Sequence, residues 1–116
     1  MEEGDQPVLI YSTFPSLDEA KRIGAALTNA RLAACVNILP GMISIYEWEG
    51  SQETAEEAAM IIKTRGRLAQ QVMAEVTRLH SYDVPALLVL PAMGGSVEYC
   101  SWIVQQTQQD GRGGGA

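Results

Sequence analysis

The stretch Leu32-Ala33-Ala34-Cys35-Val36-Asn37-Ile38-Leu39-Pro40-Gly41-Met42-Ile43-Ser44-Ile45-Tyr46-Glu47-Trp48 decides the fold. It is β-rich from Leu32 to Leu39, halts at Pro40-Gly41, and resumes from Met42 to Trp48 with Ile43 and Ile45 alternating. One long strand bent at Pro40-Gly41 accounts for this, because proline cannot donate to a ladder and glycine permits the bend. Such a strand is longer than a small sheet needs, so its far end is expected to project.

Upstream, Val8 to Phe14 reads as a first strand. Ser16-Leu17-Asp18-Glu19 then has the S-x-x-E form of a capping box, which satisfies two orphan helix N–H groups. Leu17, Ala20, Ile23, Leu27 and Ala30 follow at spacings of three and four, which predicts a helix to about Arg31. Downstream, Glu49 to Thr54 reads as a turn and Ala58 to Thr64 as a third strand. Leu68, Val72, Val76 and Leu79 share one face of a second helix over about Arg67 to His80. Pro85 to Leu90 is a nearly all-apolar fourth strand, a pattern that predicts a central place in its sheet. Ser96 is the expected N-cap of a third helix reaching about Thr107, with Val97, Cys100, Ile103 and Val104 inward.

The order is β-α-β-β-α-β with an additional C-terminal helix, an α+β ferredoxin-like sandwich. Six identities at an offset of 51 residues, Ile10/Ile61 and Pro40/Pro91 among them, agree with two strand–helix–strand halves. Residues 1–7 are expected as a flexible leader, 8–108 as the folded domain and 109–116 as a flexible Gly-rich tail. Right-handed crossovers place both main helices on one face of the sheet. A chain of 116 residues has too little left to cover the other face, so assembly with further copies is expected.

Eight basic residues against fourteen acidic ones leave a net charge of −6, which argues against nucleic acid and against an anionic membrane surface. The acidic start is unlike a signal peptide, and no apolar run approaches the roughly 20 residues of a membrane span. Cys35 and Cys100 lack C-x-x-C spacing and read as reduced, buried thiols, which points to the cytoplasm.

Leu32 to Gly41, Ile45-Tyr46-Glu47-Trp48-Glu49-Gly50, Ile61-Ile62-Lys63-Thr64 and His80-Ser81-Tyr82-Asp83-Val84-Pro85 together resemble the CutA family of divalent-cation tolerance proteins, over about residues 8 to 105. The resemblance implies a ferredoxin-like homotrimer, cytosolic, bound to copper or other divalent ions and contributing to metal homeostasis. It also implies kinship in shape with trimeric PII signalling proteins, and so a second reading: a sensor or scaffold with a small anionic ligand between subunits and a protein partner. The family's proposed metal ligands fall on Ser12, His80 and Ala86, of which only His80 is a competent donor here. Asp83 offers an alternative carboxylate, making His80 and Asp83 the candidate metal pair.

His80 is the only histidine, and capping of helix carbonyls, hydrogen bonding to the loop and metal contact are all open to it. Arg31, Cys35, Trp48, Lys63 and Tyr82 are the candidates for an intersubunit ligand cleft, with Arg31, Lys63 and Arg65 able to meet an anion. Tyr46, Trp48 and Trp102 are the expected trimer contacts. Glu47, Glu49, Glu53, Glu56 and Glu57 form an acidic patch that reads as a solvated arm or a weak collector of hard cations. No nucleophile elbow, zinc-protease or Walker sequence occurs. The expectation is a non-enzyme with no organic cofactor, whose partners are its own copies and a metal or a small anion.

Overall fold

The computed structural model describes residues 4–108; the expected tail over 109–116 lies outside the described residues. The elements in chain order are β1 (Pro7–Phe14), α1 (Leu17–Asn29), β2 (Cys35–Trp48), β3 (Ser51–Arg65), α2 (Ala69–Leu79), β4 (Leu87–Pro91) and α3 (Val97–Gln106). A single 3-10 turn, Gly66–Leu68, leads into α2, which therefore begins two residues later than the sequence pattern predicts. All strand pairings are antiparallel, and the sheet order is β2-β3-β1-β4.

That order corrects one expectation. β4 lies at an edge and pairs only with β1, although its composition predicts a central strand. Its apolar side chains are not sandwiched: Leu88 is 65% and Leu90 47% exposed.

The core lies between one face of the sheet and the two main helices. Val8, Ile10 and Phe14 of β1 and Ala58, Met60 and Ile62 of β3 meet Ala20, Ile23 and Leu27 of α1 and Val72 and Val76 of α2. Ser16 caps α1 as its sequence predicts, its Oγ accepting the Glu19 N–H at 3.1 Å. The reciprocal half of the box is absent, because the Glu19 carboxylate accepts the Ser81 N–H instead, at 2.9 Å. Arg31 lies beyond the helix, in the left-handed region at φ 59°.

α3 crosses the opposite face at one end of the sheet, with its Ser96 cap formed as expected. It packs most closely at its C-terminal end, where Ile103 and Thr107 are buried, while Val97, expected inward, is 80% exposed. Arg65 fastens that end, donating to Thr107 Oγ1 at 2.9 Å and to the Thr107 carbonyl at 3.0 Å.

The leader is tied down where it is described. Asp5 pairs with Arg65 at 2.6 Å and with Arg67 at 3.1 Å, and the Gly4 and Gln6 carbonyls accept the Arg67 and Gly66 N–H groups. The Arg65 hydrogen bond, with the Arg67 charge beside it, holds the Asp5 carboxyl below its ordinary value of 3.8. A lowered folded-state pKa contributes stability above the unfolded value that is lost as pH falls through the folded one. Asp5→Asn is therefore expected to lower the urea midpoint at pH 7, with the gap to the unmodified chain closing in acid below about pH 4. An equal gap at both pH values would refute the pairing.

The second correction concerns β3. It begins at Ser51, seven residues before the expected start, and the expected turn over Glu49 to Thr54 shrinks to Glu49-Gly50. Both turn residues have positive φ, 50° and 85°, the type I′ geometry whose twist matches the strands it joins. β1 ends opposite Ala58, so the seven β3 residues before it extend about 23 Å beyond the body of the sheet, paired only with β2. The expected bend appears as a register shift between Leu39 and Met42, with Gly41 at φ 76°. The resulting arm stretches the molecule to 49 × 29 × 21 Å.

Candidate functional site

His80 follows α2 directly, its N–H still bonded to the Val76 carbonyl. Its ring lies against Phe14 at 4.7 Å and Tyr82 at 4.8 Å, and its side chain is fully buried. Nε2 sits 2.8 Å from the Thr13 carbonyl and Nδ1 3.0 Å from the Tyr82 amide nitrogen. A carbonyl only accepts and an amide N–H only donates, so Nε2 carries the hydrogen and the Nδ1 lone pair is occupied. The Glu19 carboxylate stands 3.5 Å from Nδ1 and holds Ser81 of the same loop. His80 is thus a structural hub that joins β1, α1 and the Tyr82 loop.

Neither nitrogen of His80 is free for a cation, Asp83 is exposed, and no group of three His, Cys, Asp or Glu side chains suited to a metal occurs among the described residues. Ser12 points into the core with its Oγ buried and without a hydrogen-bond partner. A copper site built from the first strand, His80 and the following loop does not fit these residues.

The five candidate cleft residues separate into two groups. Arg31, Cys35 and Lys63 lie at the α3 end: Cys35 is the cross-strand partner of Lys63, Lys63 Nζ is 3.2 Å from the Tyr99 hydroxyl, and Arg31 donates to the Gln106 carbonyl. Trp102, an expected assembly contact, stacks on Tyr99 there at 5.5 Å. Trp48 and Tyr82 lie at the arm end. The six steps along β3 from Lys63 to Glu57 span about 20 Å, so no one small ligand touches both groups within a chain.

At the arm end the open sheet face carries a groove of about 750 Å³, with Tyr46 and Trp48 on β2, Glu53 and Glu57 on β3, and Tyr82 and Val84 on the loop. Glu57 is oriented by two donors, Ser44 Oγ at 2.8 Å and the Tyr82 hydroxyl at 3.0 Å. Burial, then the Glu57 hydrogen bond, pushes the Tyr82 hydroxyl up to about 12, so it stays a neutral donor at ordinary pH. From the sequence, Glu57 reads as part of an acidic patch that is a solvated arm or a weak collector of hard cations. Its place opposite Met42 and diagonal to Ser44 follows only from the strand register.

The groove's charge also bears on the ligand. Its ionisable lining is acidic and acceptor-rich, which does not suit the anion expected between subunits.

The model of the CutA1 divalent ion tolerance protein family matches residues 8–106. The chain is 40% identical over 111 residues to "Protein CutA, chloroplastic" of Arabidopsis thaliana, covering 93% of this chain and 61% of that protein. It is 47% identical over 94 residues to the divalent-cation tolerance protein CutA of Archaeoglobus fulgidus, covering 81% and 91%. The crystal structure of CutA1 from Oryza sativa superposes with a TM-score of 0.87 at 38% identity, over 90% of this chain and 96% of that one. The Archaeoglobus fulgidus structure, described as a periplasmic divalent cation tolerance protein, superposes at 0.85 with 43% identity, over 88% and 99%. The family and the Archaeoglobus fulgidus relative are named as tolerance proteins and not as enzymes. They overturn the expected cytoplasmic location, because the names place plant relatives in the chloroplast and the archaeal one in the periplasm.

Proposed function

This chain belongs to the CutA1 divalent ion tolerance family, and from that premise we propose that it acts as a homotrimer contributing to divalent-metal homeostasis. The observation that carries the reading is the uncovered apolar surface. Leu39, Leu88 and Leu90 on the open face, and Ile43, Ile45 and Trp48 on the arm, are about half exposed or more in the single chain. Apolar sheet faces and free edges of that kind are sites for pairing with further copies. The arm supplies the reach, and Tyr46, Trp48 and Trp102 remain the proposed contacts.

Metal enters this reading through oxygen and charge. The arm's carboxylates are hard donors that gather divalent cations weakly, and three copies triple the charge that concentrates them. His80 is assigned to architecture alone.

Two measurements test this together. Sedimentation equilibrium is expected to give three chains of 12.5 kDa, with a denaturation midpoint that rises with protein concentration. Calorimetric titration with Cu(II) and Zn(II) is expected to give the same affinity for the unmodified chain and for His80→Gln, although the variant melts earlier. A stable monomer would overturn the assembly. A loss of about tenfold or more in affinity on His80→Gln would return that residue to the metal.

A further inference from the structure

We propose that His80 is a proton switch: a second ring proton, taken up in mild acid, unfastens the Tyr82 loop and with it the hold on Glu57 at the root of the arm. The two amides that begin this loop are held by ionisable side chains, Ser81 by Glu19 at 2.9 Å and Tyr82 by His80 at 3.0 Å. Nε2 already carries a hydrogen toward the Thr13 carbonyl, so the place for a further proton is Nδ1. A protonated Nδ1 is a donor facing the Tyr82 N–H, itself a donor, and that bond does not survive.

The fold supplies the second state as well. An isolated charge is costly at the depth of this fully buried side chain, but Glu19 Oε2 stands 3.5 Å from Nδ1. A short shift closes that gap to a charge-assisted hydrogen bond, and the carboxylate has acceptor sites left for the Ser81 N–H. Nδ1 thus passes from Tyr82 to Glu19 while Nε2 stays on Thr13 and the Phe14 ring lies stacked beneath. The other neighbours do not compete for the proton. β1 brings only a carbonyl and the Phe14 ring, Arg78 on α2 is engaged by Glu75 at 2.6 Å, and Asp83 on the loop is exposed. Burial, then Glu57, pushes the Tyr82 hydroxyl up to about 12, so it remains a neutral donor throughout. Its 3.0 Å bond to Glu57 passes the loop's movement to the arm.

The test is an NMR titration of the full chain from about pH 8 to 5, the range in which histidine switches. No metal is added. His80 is the only histidine, so its ring carbons report alone, beside the amides of Ile23, Glu57, Ser81 and Tyr82. The ring is expected to gain charge, and the Tyr82 N–H to move with the same midpoint and to exchange about tenfold faster or more. Ile23, in the core of α1, is expected to stay in place. Glu19→Gln keeps an acceptor for Ser81 but lacks the counter-charge, and is expected to weaken proton uptake about tenfold. Glu98→Gln removes the same charge from α3, on the other side of the sheet, and is expected to leave the midpoint unchanged. Tyr82→Phe is expected to preserve the loop transition while uncoupling the Glu57 amide from it. A ring still neutral at pH 5, or a charged ring beside an unmoved Tyr82 N–H, would overturn the proposal. So would equal shifts in Glu19→Gln and Glu98→Gln, an Ile23 amide moving with the loop as in general unfolding, or a Glu57 amide that follows the ring equally in Tyr82→Phe. These readouts involve neither metal nor the number of copies, so they stand or fall separately from the homeostasis reading.

Discussion

Phe14→Ala is expected to lower the unfolding free energy by about 3–5 kcal/mol at fixed protein concentration, as deletion of a fully buried aromatic ring does. Phe14 closes β1 with no exposed surface, inside the cluster formed by β1, β3, α1 and α2. Its ring is also the platform beneath His80. The cavity would open beside the imidazole that holds Thr13 and the Tyr82 loop, so the loss is expected in the upper part of the range. Phe14→Leu keeps most of the volume and is expected to cost less than half as much. The check is a urea titration in which the midpoint moves while the slope stays constant. A loss below about 1 kcal/mol for the alanine variant would show that this end of the core is loosely packed.

The second large effect is at Gly24. A Cβ there would stand 2.8 Å from Val36 Cγ2 and 3.3 Å from Met60 Cε, so α1 sits on the sheet at a distance that only glycine allows. Two opposing terms meet. Alanine raises helix propensity by about 1 kcal/mol, and the Met60 methyl is the mobile end of its side chain. The Val36 methyl is anchored to a stiff β-branched stem and cannot yield as readily. Gly24→Ala is therefore expected to cost a net 1 kcal/mol or so, and Gly24→Leu about 3 kcal/mol or more, because overpacking there lifts the helix from β2. Thermal melts of the pair would show a graded fall. A stabilised alanine variant would mean that Val36 shifts without cost.

The local rules were legible in the sequence because they act within one turn or one face. The Ser16 cap, the stripe of Ala20, Ile23 and Leu27, and the break at Pro40-Gly41 all formed as the residue pattern requires. β4 was misread because an apolar run is equally consistent with a strand between neighbours and with one that awaits cover from outside the chain. The early part of β3 was invisible because Gln52 to Glu57 carries no apolar alternation; pairing with β2 makes it a strand, and both its faces remain largely in water. The site was least legible. What His80 does is set by Thr13 and Glu19, 67 and 61 positions away along the chain, and no spacing within the His80-Ser81-Tyr82-Asp83 segment carries that information.

The two-residue tip at Glu49-Gly50 has a consequence for how such molecules can diversify. Adding two residues to each strand beside the tip lengthens the hairpin by about 6.6 Å, keeps a hydrogen-bonded pair at the turn and leaves every existing side chain on its present face. An insertion into one strand alone would slip the register and turn the inner face outward. Span is thus adjustable in paired steps, without disturbing the helix-covered half on which folding depends.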